Sequence, residues 1–212
     1  MEGDTVKLYY FNLNARVTTA RMMLDLAHVK YESIVLTFEE WGKMEKPVET
    51  FEYGFLPVLV VNGKAYSQRI AIEHYLGKRL GFFGSNAEEE YQIMNILAAF
   101  DDVCPDLSGA FFIKDKEVQA KKFAELADRY LSWILPVFER KFTTRTGKYI
   151  VGDKLSVADM SLGYLFWLLR SQPAWSPSIE KYAPKLGVWA EALFANELKE
   201  TIDHSFQKTA FL

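Results

Sequence analysis

The side chains whose types and spacing could do chemistry are Tyr10 and the pair Leu56-Pro57. Val6-Lys7-Leu8-Tyr9-Tyr10-Phe11 is a β-branched and aromatic run of strand length, broken by Asn12-Leu13-Asn14. Strand alternation puts Val6, Leu8 and Tyr10 on one face and Tyr9 on the other, as core. Tyr10 then closes its strand with the phenol at the loop end, where α/β folds bring their ligands. A phenol O–H there can donate to a developing anion; the same spacing also suits a packing aromatic, the commoner use. Pro57 has no N–H to give a ladder, so it opens the apolar run Val58-Leu59-Val60-Val61. If its peptide bond is cis, the form of about 5% of X-Pro bonds in folded proteins, the turn leaves a backbone N–H and C=O to which a peptide-like ligand can add as a short strand. An ordinary trans proline beginning a strand is the alternative.

Several other chemistries are excluded by what is missing. His28, His74 and His204 are scattered without ligand spacing, so no metal site is expected. No Ser, His and Asp stand in a triad context. Cys104, the single cysteine, cannot close an internal disulfide and reads as a small buried hydrophobe. Thiol chemistry must therefore come from a bound thiol. The net charge is −3, and residues 1 to 80 hold ten acidic and ten basic side chains of the chain's 28 and 25. Neither half carries the positive excess that a phosphate backbone demands, which argues against a nucleic-acid partner. No run of about 20 apolar residues exists, and Met-Glu-Gly-Asp-Thr lacks the basic and apolar regions of a signal peptide. A soluble, cytoplasmic protein without membrane association is expected.

The elements that must position these residues follow in order. Helical spacing through Val17, Ala20, Leu24 and Ala27 leads to a second strand candidate, Tyr31 to Leu36, making a βαβ unit with a parallel pair. Residues 37–50 read as irregular with one helical turn before the hairpin, so the order through residue 80 is β-α-β-(short α)-β-β-α. Asn62-Gly63 is a strong hairpin signal returning the chain into Lys64-Ala65-Tyr66. Ser67 then reads as the cap of a helix carrying Ile70, Ala71, Tyr75 and Leu76. Residues 1–80 thus spell an α/β domain of thioredoxin-like type, residues 81–86 a linker, and residues 87–212 an all-α domain. In the latter, Asn86 and Glu89 have capping-box spacing, Pro105 is expected to kink or end the first helix, and Pro136 to kink the end of another. Ser156 and Asp159 form a second capping box with Leu155 and Met160 as its staple, a folding device.

Taken together, Leu56-Pro57, the hairpin, Gln68, Ala71-Ile72-x-x-Tyr75-Leu76 and the box at 156–159 resemble the cytosolic glutathione transferases over nearly the whole chain. Lys7 to Asn12 followed by Arg16 is most similar to the sigma class, that of prostaglandin D synthases and S-crystallins. The resemblance implies a thioredoxin-like glutathione-binding domain plus an all-α domain, assembled as a homodimer. It implies glutathione as co-substrate, a small apolar electrophile and a role in detoxification, with isomerase or peroxidase activity as further options. Tyr10 would favour the thiolate, with Arg16 beside the sulfur, and Leu56, before a cis Pro57, would bind the cysteinyl backbone. Trp41 would hold the glycyl end. The class's partner Lys is Glu45 here, so Lys46 or Lys43 must substitute. Gln68 would contact the γ-glutamyl group, where the usual neighbouring Ser is Arg69, able to pair with a carboxylate or to fill the site. Asp101 and Asp102 match the acidic pair that reaches the γ-glutamyl ammonium from the neighbouring subunit. Leu13, Phe111, Phe112 and Phe211 are the family-layout candidates for the electrophile pocket. A ligandin, haem carrier or crystallin-like binding protein on the same fold is the alternative, motivated by Arg69 and Glu45.

Overall fold

The structure, a computed structural model, describes residues 1–201. They divide into two compact units, Met1–Phe83 and Gly84–Lys199, with Glu200 and Thr201 grouped with the first.

The first unit is a four-stranded mixed sheet in the order β2-β1-β3-β4, formed by β1 (Val6–Phe11), β2 (Glu32–Leu36), β3 (Val58–Val61) and β4 (Lys64–Ser67). β1 pairs parallel with β2 and antiparallel with β3, which pairs antiparallel with β4. The expected alternation holds: Val6, Leu8 and Tyr10 are buried, whereas Lys7 is exposed and meets Glu32 across the parallel pair at 2.9 Å. The hairpin turns through Asn62 at φ 50° and Gly63 at φ 81°, the doubly positive pattern that favours an Asn-Gly pair. Helix α1 (Thr18–Leu26) buries Ala20 and Leu24, and it packs against α3 (Arg69–Leu80) with Ile72 and Leu76 buried.

The short helix expected after β2 is present, with a cap that the sequence reading did not assign, and one further feature differs from that reading. The segment after β2 contains a capped helix, α2 (Phe38–Lys43): Thr37 Oγ1 accepts from the Glu40 N–H at 3.1 Å, and Glu40 reaches back to the Thr37 N–H at 2.7 Å. The Thr37-x-x-Glu40 signature was there to be read, masked by the polar surroundings. Ser67 does not cap α3. It is paired with Val58 as the last residue of β4, so the cap falls one residue on, at Gln68.

The second unit is helical among its described residues: α4 (Ala87–Ala110), α5 (Lys116–Leu126), a π-helical turn over Ala127–Leu131, α6 (Ser132–Thr143), α7 (Val157–Ser171), α8 (Ser176–Tyr182) and α9 (Pro184–Ala195). Of the two outcomes expected at Pro105, ending the helix does not occur, and α6 likewise runs on past Pro136. α4 continues beyond Pro105 to Ala110, and α6 beyond Pro136 to Thr143. Burial of Leu107 and Ala110 past the first, and of Phe138 and Phe142 past the second, offsets the lost backbone bond. The cap of α4 is half the expected box. Asn86 Oδ1 accepts from the Glu89 N–H at 3.0 Å, but the Glu89 carboxylate takes the N–H and hydroxyl of Ser85 at 2.8 and 2.6 Å. No helix among the described residues is long and apolar enough to cross a membrane.

α7 is buried almost all round, and its start is the capping box of Ser156 and Asp159. Asp159 Oδ2 accepts from the Ser156 N–H at 2.8 Å and hydroxyl at 2.7 Å, while Oδ1 accepts from the Ile150 N–H at 2.8 Å. One carboxylate thus ties the loop at 150 to the helix. Complete burial pushes its pKa up to about 6 from an ordinary 3.8, against these bonds, which favour the anion. The folded chain therefore holds a proton between about pH 4 and 6 that the unfolded chain has released, and stability falls as pH rises through that window. On lowering the pH from about 7 to about 4, wild type should gain up to about 3 kcal/mol over Asp159→Asn, two pKa units at about 1.36 kcal/mol each. Urea titrations of both proteins across that range check this; a constant gap would mean that the hydrogen bonds hold the group ionised.

Candidate active site

A cavity of about 390 Å³ opens on the first unit where the loop before β3 faces the start of α3. Leu56, Pro57, Tyr53 and Phe55 line it from the loop, Ser67, Gln68 and Arg69 from the β4-to-α3 junction, and Arg16 from the segment before α1. The Leu56-Pro57 bond is cis, as the resemblance implied. Gln68 has φ 71° and ψ 123°, a conformation that costs a non-glycine residue about 1–3 kcal/mol and concentrates at functional sites. The first turn of α3 opens directly after it, with N–H groups that have no partner in their own helix and the positive end of the helix dipole.

Arg69, the first residue of α3, is buried. Its Nη1 lies 3.0 and 2.9 Å from the two carboxylate oxygens of Glu73, one turn on, and both side chains are at most 2% exposed. The i,i+4 spacing of Arg69 and Glu73 could have revealed this partner from the sequence.

The remaining expected residues are not among those that line this cavity. Tyr10 is 5% exposed at the end of the buried face of β1, its ring 5.5 Å from that of Phe11, and it is not among the described residues lining the cavity. Trp41, on α2, has Lys46 over its ring at 4.5 Å. The Lys46 ammonium also donates to the carbonyls of Trp41 and Met44 at 2.7 and 3.1 Å, so the substitute for Glu45 does stand beside Trp41. Asp102 is exposed on α4 in the second unit. Of the electrophile-pocket candidates, Leu13 is buried, Phe112 is exposed, and Phe111 packs edge-on against Phe123 and Trp175; Phe211 lies outside the described residues. No group of three metal-ligating side chains occurs among the described residues.

Arg21 escaped the sequence reading. It is 2% exposed within α1, donates from Nη1 to the Leu13 carbonyl at 3.2 Å, and interacts electrostatically with Tyr31, Tyr10 and Asp25. Burial pulls its pKa below the ordinary value. A charge on the apolar stripe of Val17, Ala20 and Leu24 was the available signal.

Residues 101–198 match the family model described as glutathione S-transferase, C-terminal domain. Glutathione S-transferase 1 of Ascaris suum is 35% identical over 162 residues, covering 73% of this chain and 75% of the relative. The sigma class glutathione S-transferase of Fasciola hepatica superposes with a TM-score of 0.83 at 22% identity, over 98% of this chain and 99% of that one. Prostaglandin synthase D of Nilaparvata lugens does so with a TM-score of 0.76 at 27% identity, over 95% and 98% of the two chains. The chain belongs to the glutathione S-transferase family, with a thioredoxin-like first unit and a helical second one.

A buried ion pair is costly to break from one side, because the remaining charge is left without a partner. Glu73→Leu should lower stability by about 3–5 kcal/mol, and the double variant Arg69→Met, Glu73→Leu should recover most of it. Urea midpoints of the two variants decide this; a double variant no better than the single one would mean that the pair is held for more than mutual neutralisation.

Proposed function

We propose that the protein is a glutathione transferase that binds glutathione in the cavity of the first unit and joins its sulfur to small apolar electrophiles, or isomerises them. The observation that carries this reading is that Leu56, Pro57, Gln68 and the opening turn of α3 meet on one cavity wall. The backbone of Leu56 offers a strand-like edge to the cysteinyl residue. The γ-glutamyl carboxylate fits the α3 N-terminus, where Gln68 and the Arg69 backbone N–H lie within the positive end of the helix dipole. With its guanidinium drawn to Glu73, Arg69 serves mainly as a fixed positive charge behind that wall. Trp41 and Lys46 hold the glycyl end.

Tyr10, buried at the end of β1 outside the residues that line the cavity, donates its hydroxyl to the glutathione sulfur where the bound tripeptide reaches past that lining, and Arg16 and the buried charge of Arg21 favour the anion. Lowering a thiol pKa from about 8.5 by two units takes about 2.7 kcal/mol, and one hydrogen bond to a charged group supplies about 1.5–3 kcal/mol. The thiolate attacks the electrophilic carbon, a C–S bond forms and the leaving group departs; fixed proximity supplies further acceleration. Peroxide reduction is a further reaction open to the same thiolate.

The reading includes a homodimer in which Asp102 reaches the γ-glutamyl ammonium bound by the partner subunit. Phe55 and Tyr53, 72% and 55% exposed at the cavity edge, form an apolar patch suited to that contact. A non-catalytic carrier is the second reading, favoured by the placement of Arg69 where a small residue would leave more room.

An ultraviolet difference titration of bound glutathione separates the two. A thiolate band with a midpoint about two units below the free thiol's, lost in Tyr10→Phe together with a tenfold to hundredfold fall in kcat/KM, is expected for the enzyme. No band and no binding at millimolar glutathione would favour the carrier. Phe55→Ser should shift sedimentation from dimer toward monomer and weaken glutathione binding; an unchanged dimer would remove this patch from the interface.

A further inference from the structure

Among the described residues, the polar side chains that line the cavity of the first unit are Arg16, Tyr53, Ser67, Gln68 and Arg69. Arg69 is the obvious group to meet a ligand carboxylate at the start of α3, but its guanidinium is engaged inside the fold. Nη1 lies 3.0 and 2.9 Å from the two oxygens of Glu73, and the two side chains are 2% and 1% exposed. Turning the guanidinium toward a ligand would take the cation away from a buried carboxylate, which is strongly unfavourable. Tyr53 stands at the rim, exposed.

Ser67 is placed differently. It is the last residue of β4, and the ladder sets it opposite Val58, the residue after Pro57. Side chains directly opposite in an antiparallel pair have Cβ atoms about 4.5–5.5 Å apart, so backbone pairing, not a flexible stem, fixes Ser67 beside the Leu56-Pro57 wall. It is half-buried, and its hydroxyl makes no hydrogen bond among the described residues. Directly after it comes Gln68, whose side chain makes no capping bond to the first turn of α3.

We propose that Ser67 is a specificity-determining residue of this cavity: its hydroxyl donates to the γ-glutamyl carboxylate of glutathione, a contact that the engaged guanidinium of Arg69 does not make. The inference rests on the glutathione reading given above. A hydroxyl beside the first-turn N–H groups gives the carboxylate a directional, charge-assisted bond in addition to the attraction of the helix dipole. The cavity thereby selects γ-glutamyl thiols that carry a free carboxylate beside the amino group over thiols that lack it. This carboxylate is several bonds from the sulfur and keeps its charge throughout the reaction, so the contact is equally strong in ground state and transition state. It lowers KM and leaves kcat unchanged.

Conjugation of a chlorodinitrobenzene by the full chain, with glutathione or with γ-aminobutanoyl-cysteinylglycine as the thiol, tests this alongside calorimetric titration with glutathione. The second thiol lacks only the carboxylate in question. Ser67→Ala should weaken glutathione binding and lower its kcat/KM about tenfold, the effect of one hydrogen bond to a charged group, while kcat/KM for the analogue changes less than about twofold. The fall for glutathione should lie in KM, with kcat within about twofold of wild type. Ser67→Thr keeps the hydroxyl and should stay within about threefold of wild type, whereas Ser67→Val, the isostere of that variant without the hydroxyl, should fall as Ser67→Ala does. The Thr and Val variants decide the matter if the Ala variant does not fold. Full affinity in Ser67→Ala and Ser67→Val, or an equal loss with glutathione and the analogue, would overturn the proposal and leave the glutathione reading standing. Absence of glutathione binding by wild type would remove that reading and this inference with it.

Discussion

Strand β1 is hydrogen-bonded on both edges, parallel to β2 and antiparallel to β3, and the candidate active site hangs from that double pairing. A shift of one residue in either ladder would exchange the two faces of β1, sending Tyr10 outward and Tyr9 and Lys7 inward. The antiparallel partner β3 carries Pro57 at its head, and the hairpin at Asn62-Gly63 converts that register into the position of Ser67, Gln68 and the start of α3. The strands thus bring the loop before β3 and the N-terminus of α3, separated by a whole hairpin in sequence, to one cavity.

Electrostatics inside each unit follow a common pattern in which a buried charge is answered within one or two turns. Arg69 is answered by Glu73 along α3. The Asp159 carboxylate is answered by two backbone N–H groups and a hydroxyl. Arg21 is answered by a carbonyl and by its interactions with Tyr31, Tyr10 and Asp25. In both Arg21 and Arg145 the answer is partial, since Nη1 is satisfied and the buried Nε has no hydrogen-bond partner among the described residues.

Local chemistry made some elements legible and hid others. β1, the βαβ unit, the hairpin and the box at Ser156 and Asp159 could be read because alternation, turn residues and cap spacing all act over a few residues. The short helix at Phe38–Lys43 was expected within an otherwise irregular segment, but its cap at Thr37 and Glu40 was not, since none of its residues is buried and no apolar period marks it. Ser67 misled because a serine before an apolar period looks like a cap; its backbone belongs to the ladder with Val58. At Pro105 the sequence left open whether the helix ends, because the cost of a proline is local whereas the burial that carries a helix past it is not.

From residue order alone came the class of fold, the division between an α/β and a helical part, and the set Tyr10, Arg16, Leu56, Pro57, Gln68 and Arg69 as the place to look. These rest on periodicity, turn chemistry and family motifs, which need no knowledge of distant neighbours. Folding in three dimensions decided that Arg69 pairs with Glu73, that Lys46 stands over Trp41, that Tyr10 is buried and not on the cavity wall, and that Arg145 lies on Phe142 with one nitrogen unanswered. Each of these depends on which of several reachable partners a long side chain finds once packing has excluded water, and a linear spacing leaves that choice open.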